Sequence, residues 1–322
     1  SAQSGTVVVV PTGNQGNTDT HTEGIIESSG YIKDIEIRVG EKQKNLPIEI
    51  WVNKPNRVKL SIVSPSGEVI DNLEAKNTNN ERIKFLYEGT EMIVNFTSPE
   101  LSTGDSLIFI RAYNLKAGIW KFRLTGQSIV DGKYYAWIPQ RELLDSETKF
   151  LNSVGYTTLT LSSTSSGAIS VAYYNQDDNS VISESGRGYT RYGMIKPDIA
   201  AGGFNAIVTN PGGGTAVISG SSVAGAVVAG CCALILQWAV VDKNYPDIYA
   251  AQIKSYIISG AKGRPGDVYP NKEWGYGMFD MQGVFDRIRE TYSPRSDEDY
   301  EEYRVNNLFI RMPKYRHNRT IN

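Results

Sequence analysis

The sequence predicts an α/β fold with a parallel sheet, interrupted by an antiparallel β-sandwich of the jelly-roll kind. Three observations predict it. Residues 7–10 are four valines without alternation, the pattern of a strand buried on both faces in a parallel sheet. From about Gly24 to Leu159 short segments alternate apolar and polar residues with turns between them. Past Leu159 helical periods and glycine-rich loops take over. The implied division is 1–24 and 159–322 for the α/β part and 25–158 for the insert.

In order, residues 6–10 form the first strand, followed by the polar loop "PTGNQGNTDTHTEG". The insert contains "IEIRV" (35–39), "IEIWV" (48–52), "VKLSIV" (58–63), "MIVNF" (92–96), "LIFIRA" (107–112) and "IWKFRL" (119–124). In the last of these Trp120, Phe122 and Leu124 share one face while Lys121 and Arg123 point away. "SPSG", "STGD" and "KAG" supply the turns. Beyond the insert, "AISVAYY" (168–174) reads as a strand, and residues 222–241 as a long helix apolar on all sides. Residues 247–261 form an amphipathic helix ended by Gly260, and 280–290 another. The tail has an acidic cluster (Asp297, Glu298, Asp299, Glu301, Glu302) and then Arg311, Lys314, Arg316 and Arg319. It reads as a solvated extension with one short strand, "LFIRM".

Over 322 residues the net charge is −2 and charged residues make up 21%, so nothing draws the chain to nucleic acid or an anionic membrane. The two cysteines, Cys231 and Cys232, are adjacent within the apolar helix, where neighbours point to different sides; both read as reduced core residues. The start lacks a basic n-region and a signal-peptide core, and its abrupt opening before a buried strand reads as a processed fragment. Residues 222–241 are nearly long enough to cross a membrane, but Gly225, Gly230, Gln237 and the lack of flanking basic clusters favour a central core helix, so no membrane span is expected. No cluster with metal-ligand spacing stands out, and no cofactor is expected.

The chemistry lies in two short stretches. "SGSSVAGAVVAG" places Ser222 at the start of the apolar helix, where free N–H groups and the helix dipole favour developing negative charge. Such a serine is ordinarily only an N-cap. "PTGNQG" places Asn14 just past the first strand, where a neutral side-chain amide could act as an oxyanion donor; taken alone it is a turn.

Together with "KPDIAAGGFNAI" these stretches resemble, in order and setting, the subtilisin-like serine proteases. The resemblance implies that Ser222 is the nucleophile and Asn14 the oxyanion asparagine, with Gly13, Gly220 and Ser221 lining the substrate cleft. "GNQGNTDTHTEG", the interrupting β-domain, "SGRGYTRYGMIKPDIAAGG" and "NKEWGYGMFD" are similar to the Csp germination proteases of clostridial spores. That similarity implies an endopeptidase of the bacterial spore (cortex and coat region) that activates the zymogen of a cortex-lytic hydrolase during germination. Some members are pseudoproteases that relay germinant signals, and this is the competing reading.

The subtilisin-like triad also needs an Asp and a His. Only His21 and His317 occur, neither in the family's His motif, and both read as surface or loop-bracing residues. Asp198 of "KPDI" resembles a scaffold aspartate, not a triad member. The expected partners are therefore an N-terminal fragment of the same protease that supplies Asp and His, its propeptide, and the protein substrate. Ser221 stands where the family has Thr, and "AAGG" where it has Ala-Pro-Gly.

Overall fold

The computed structural model of the chain describes residues 5–74, 80–292, 300–305 and 308–313. The first strand is β1 (Val9–Pro11), and eleven antiparallel strands follow. They are β2 (His21–Ile25), β3 (Ile32–Val39), β4 (Asn45–Val52), β5 (Arg57–Val63), β6 (Val69–Leu73) and β7 (Glu81–Lys84), then β8 (Glu91–Thr97), β9 (Ser106–Tyr113), β10 (Gly118–Ser128), β11 (Lys133–Trp137) and β12 (Lys149–Phe150). One sheet has the order β12-β3-β10-β5-β6, the other β2-β11-β4-β9-β8-β7. The six alternating segments read from the sequence all fall within these strands. The antiparallel part begins at His21, four residues before the boundary expected at residue 25.

Alternation fixes which face each strand buries. Along β10, Trp120, Phe122 and Leu124 are buried in a core shared by both sheets. The intervening Lys121 and Arg123 face out and pair across the β10–β3 register with Glu36 at 2.8 Å and Asp34 at 2.8 Å. A slip of one residue would reverse both faces, so burial and charge pairing specify the same register.

The α/β part resumes with β13 (Ile169–Asn175), β14 (Ser180–Val181), β15 (Ile199–Gly202) and the hairpin β16 (Ala206–Thr209) and β17 (Thr215–Ile218). The helices are α1 (Ser221–Leu236, continued by a π turn over Gln237–Val241), α2 (Ala250–Ser259) and α3 (Met281–Tyr292). A last hairpin joins β18 (Tyr300–Val305) to β19 (Leu308–Pro313), which contains the expected "LFIRM" strand. Asp297, Glu298, Asp299, Lys314, Arg316, His317 and Arg319 lie outside the described residues.

Strand β13 is the centre of the parallel sheet. β1 runs parallel on it at Val9↔Ile169 and β15 at Val171↔Ile199. α1 packs on this sheet through Ala224, Val228, Cys232 and Ile235, and α2 and α3 extend the core with Ile253, Ile257, Val284 and Ile288. Cys232 is buried and Cys231 only partly so, and both are free thiols.

One expectation needs correction. The valine run is not buried on both faces: β1 is half-buried and Val8 is 49% exposed. The cause is topological. Among the described residues β1 pairs with β13 alone, so its far edge and part of its surface have no cover. Helix α1 is also left partly open. Ser221–Val241 is long and apolar enough to cross a membrane, and only 33% of its most apolar stretch is buried. Val227 and Leu234 are 46% and 56% exposed.

Candidate active site

The loops that leave the C-terminal ends of β1 and β15 meet at the start of α1, where open α/β sheets commonly place ligands. The ladder continues beyond β1 with Thr12 N–H donating to Val171 O at 3.0 Å. The chain then turns at Gly13, whose φ of 91° is in the left-handed region that favours glycine. A Cβ there would also lie 2.7 Å from the Thr160 methyl carbon. From the other side, Gly220 N–H donates to Gly203 O at 2.9 Å, which seats the start of α1 at the end of β15.

Two reciprocal hydrogen bonds join these loops. Ser221 N–H donates to Asn14 Oδ1 at 3.0 Å, and Gly13 N–H donates to Ser221 Oγ at 3.0 Å. A carbonyl oxygen, not an NH₂, accepts an N–H, so the first bond fixes the orientation of the Asn14 amide and turns Nδ2 away from Ser221. A Cβ on Gly220 would lie 3.4 Å from that Nδ2. Asn14, Gly13, Gly220 and Ser221 therefore converge, although some two hundred residues separate them in the chain.

Ser222 is exposed at the second position of α1. Among the described residues its Oγ and N–H make no hydrogen bond within the protein, and the same holds for Asn14 Nδ2. One exposed hydroxyl and two uncommitted donors thus lie at the positive end of a 16-residue helix. That set is what addition to a carbonyl requires, apart from a base. Ser221 differs from its expected place along the cleft: it is 1% exposed, with hydroxyl and N–H both engaged by residues 13 and 14. It braces the loop that carries Asn14.

No base stands beside Ser222 among the described residues. His21 is neither a surface nor a loop residue. It lies in β2, is 1% exposed, and stacks on Trp137 with ring centres 4.5 Å apart. Its ring nitrogens face Ala136 O at 2.9 Å and Glu23 Oε2 at 3.3 Å. Asp198 is a scaffold residue: it receives Lys196 Nζ at 2.7 Å, Lys254 Nζ at 2.9 Å and Ser170 N–H at 2.7 Å. Burial pushes the Lys196 ammonium below its ordinary range, and Asp198 opposes that shift. Among the described residues no three His, Cys, Asp or Glu side chains gather as a metal site. Thr160, whose N–H and hydroxyl hold Thr12 O and Pro11 O at 2.9 Å each, carries no motif that sequence reading could have found.

Residues 149–277 match the Subtilase family. The structure of the CspB protease of Clostridium perfringens superposes with a TM-score of 0.81 at 29% identity, covering 89% of this chain and 60% of that one. Subtilisin-like protease SBT6.1 of Arabidopsis thaliana is 30% identical over 172 residues, which are 50% of this chain and 16% of that protein. The chain thus spans only part of the length of either relative. With its subtilase domain, its subtilisin-like α/β fold and its close structural match to CspB, this chain is a homologue of the subtilisin-like serine proteases.

Proposed function

We propose that the chain is the nucleophile-bearing part of a serine endopeptidase, with Ser222 attacking the scissile carbonyl and Asn14 Nδ2 and Ser222 N–H receiving the oxyanion. The observation that carries this reading is the Ser221–Asn14 hydrogen bond, which leaves the Asn14 amide nitrogen free beside the start of α1. Gly13, which is half-buried, lets a substrate backbone approach closely, whereas the buried Gly220 makes room for the Asn14 side chain. The similarity to the CspB protease supports the same reading. The resemblance to the Csp germination proteases extends the proposal to a role in the bacterial spore, where the protease would activate the zymogen of a cortex-lytic hydrolase during germination.

The aspartate and the histidine base come, in this proposal, from an N-terminal piece of the same protease bound non-covalently. The open edge of β1 and the exposed Val227 and Leu234 of α1 support such a piece. A parallel strand wants neighbours on both edges, and a helix this apolar wants cover. The piece would extend the sheet past β1 and bring His within reach of Ser222 Oγ. A fluorophosphonate probe tests the proposal: labelling at Ser222 in the two-piece assembly, abolished by Ser222→Ala, is the expected result. No labelling of the intact assembly would leave a pseudoprotease that senses or relays germinant signals.

A further inference from the structure

A cleft of about 480 Å³ opens between the β-sandwich and the subtilase domain. Its walls are apolar and aromatic: Trp51 and Trp137 from β4 and β11, with Leu159, Leu161, Tyr189 and Tyr192 opposite. Leu161 is 91% exposed and Tyr192 60%, so large hydrophobic surface faces the opening. Arg191 also lines the cleft, with its guanidinium 4.3 Å from the Trp51 ring centre. Asp105 takes up that charge at 3.0 Å. Two further lining residues, Glu49 and Glu100, have no cationic partner among the described residues. N–H and hydroxyl groups of Ser102 and Thr103 hold the Glu100 carboxyl down at about 2, so it is ionised at any working pH. The cleft is therefore apolar with an uncompensated negative rim.

Its position gives this chemistry meaning. Leu161 directly follows Thr160, the residue that packs on Gly13 and holds Thr12 O and Pro11 O. One segment thus walls the cleft and buttresses the loop that carries Asn14. The volume suits one or two side chains of an extended peptide and is too small for a folded partner.

We infer that this cleft docks a segment of the protein substrate carrying an aromatic or large aliphatic side chain flanked by lysine or arginine, a few residues from the bond that is cut. The inference rests on the endopeptidase reading for its occupant. The apolar side chain fills the space between Trp51, Trp137 and Leu161, and the flanking cation meets Glu49 and Glu100. The Asp105–Arg191 pair holds the cleft formed before binding, which limits the ordering cost of capture.

The test uses the two-piece assembly carrying Ser222→Ala, to prevent turnover, and two acetylated, amidated pentapeptides, Lys-Phe-Lys-Phe-Lys and Glu-Phe-Glu-Phe-Glu. The indole N–H resonances of Trp51 and Trp137 report binding. The basic peptide should shift both and bind about tenfold tighter than the acidic one, and added salt should weaken it. Leu161→Ser, at an exposed position, and Glu49→Gln should each weaken it by about three- to tenfold. Unmoved resonances, including the case where the N-terminal piece covers the cleft, would overturn the inference. So would equal binding of the two peptides, or binding insensitive to Leu161→Ser. Fluorophosphonate labelling of the unsubstituted assembly separates the two proposals. Labelling without peptide binding discards only the cleft, whereas peptide binding without labelling overturns the substrate as its occupant.

Discussion

The carbonyl oxygen of the Asn14 side chain accepts the backbone N–H of Ser221 at 3.0 Å, across 207 positions of sequence. This bond makes the amide a directed donor. With Oδ1 held from the helix side, Nδ2 is left without a partner among the described residues, 3.4 Å from where a Cβ on Gly220 would lie. Preorganisation of this kind is worth more than the mere presence of an amide, because the donor need not reorient as charge develops.

The first prediction concerns that donor. In the two-piece assembly Asn14→Ala should lower kcat by about 10²- to 10³-fold and leave KM nearly unchanged, because the lost bond forms only in the transition state. Steady-state kinetics on a fluorogenic peptide decide it. An unchanged kcat would remove Asn14 from the oxyanion role.

Ser221 should behave as a positioning residue. Ser221→Ala leaves the Gly13 N–H without its acceptor, which costs about 1–3 kcal/mol in urea unfolding and lowers kcat through a loosened Asn14. Ser221→Thr keeps the hydroxyl and should restore both. If the Ala variant matches the unsubstituted protein in both measurements, the bracing role is wrong.

Asp198 should matter for stability and not for chemistry at Ser222. It takes up two ammonium groups, those of Lys196 (side chain 1% exposed) and Lys254 (18% exposed). Asp198→Asn strands these charges, and about 3–5 kcal/mol of stability should be lost, read from the denaturant midpoint. A variant that unfolds at the original midpoint would contradict the burial argument.

Alkaline pH should destabilise the fold through its buried phenols. Burial pushes Tyr134 and Tyr173 from 10 up to about 12. Below pH 10 both folded and unfolded chains keep these protons, and the contribution is complete. Between 10 and 12 the unfolded chain releases them first, so stability falls as pH rises, by up to about 2–3 kcal/mol per group. Phenolate absorbance should therefore show that at least two of the 19 tyrosines lag and ionise together with loss of secondary structure. Tyr134→Phe should remove one lagging group and move the alkaline midpoint upward.

Strong local periodicity was readable without a structure. The six alternating segments lie where their period places them, because period-2 burial leaves a direct imprint on composition, and the amphipathic pattern of α2 and the unbroken apolar run of α1 mark helices in the same way. The short strands β2, β6, β7, β11, β12 and β14 left no such imprint. β2, "HTEGI", owes its place to its partner β11, not to its own pattern. His21 departs from its expected surface or loop setting for the same reason: a polar stretch hides a ring that becomes buried only once Trp137 stacks on it.

By itself the sequence determined the alternation of architectures, which is written in residue type and spacing, whereas the pairing of a Gly-Asn loop with a Gly-Ser-Ser helix start was implied only by the resemblance to the subtilisin-like proteases. Only the tertiary structure decided that Ser221 turns inward to brace Gly13 and Asn14, and that β1 and α1 keep an uncovered side. It alone also set Leu161 and Trp51 on facing walls of one cleft. Each of these depends on contacts between segments far apart in the chain, and such contacts are set by how the sheets and helices pack, which no local pattern of residues encodes.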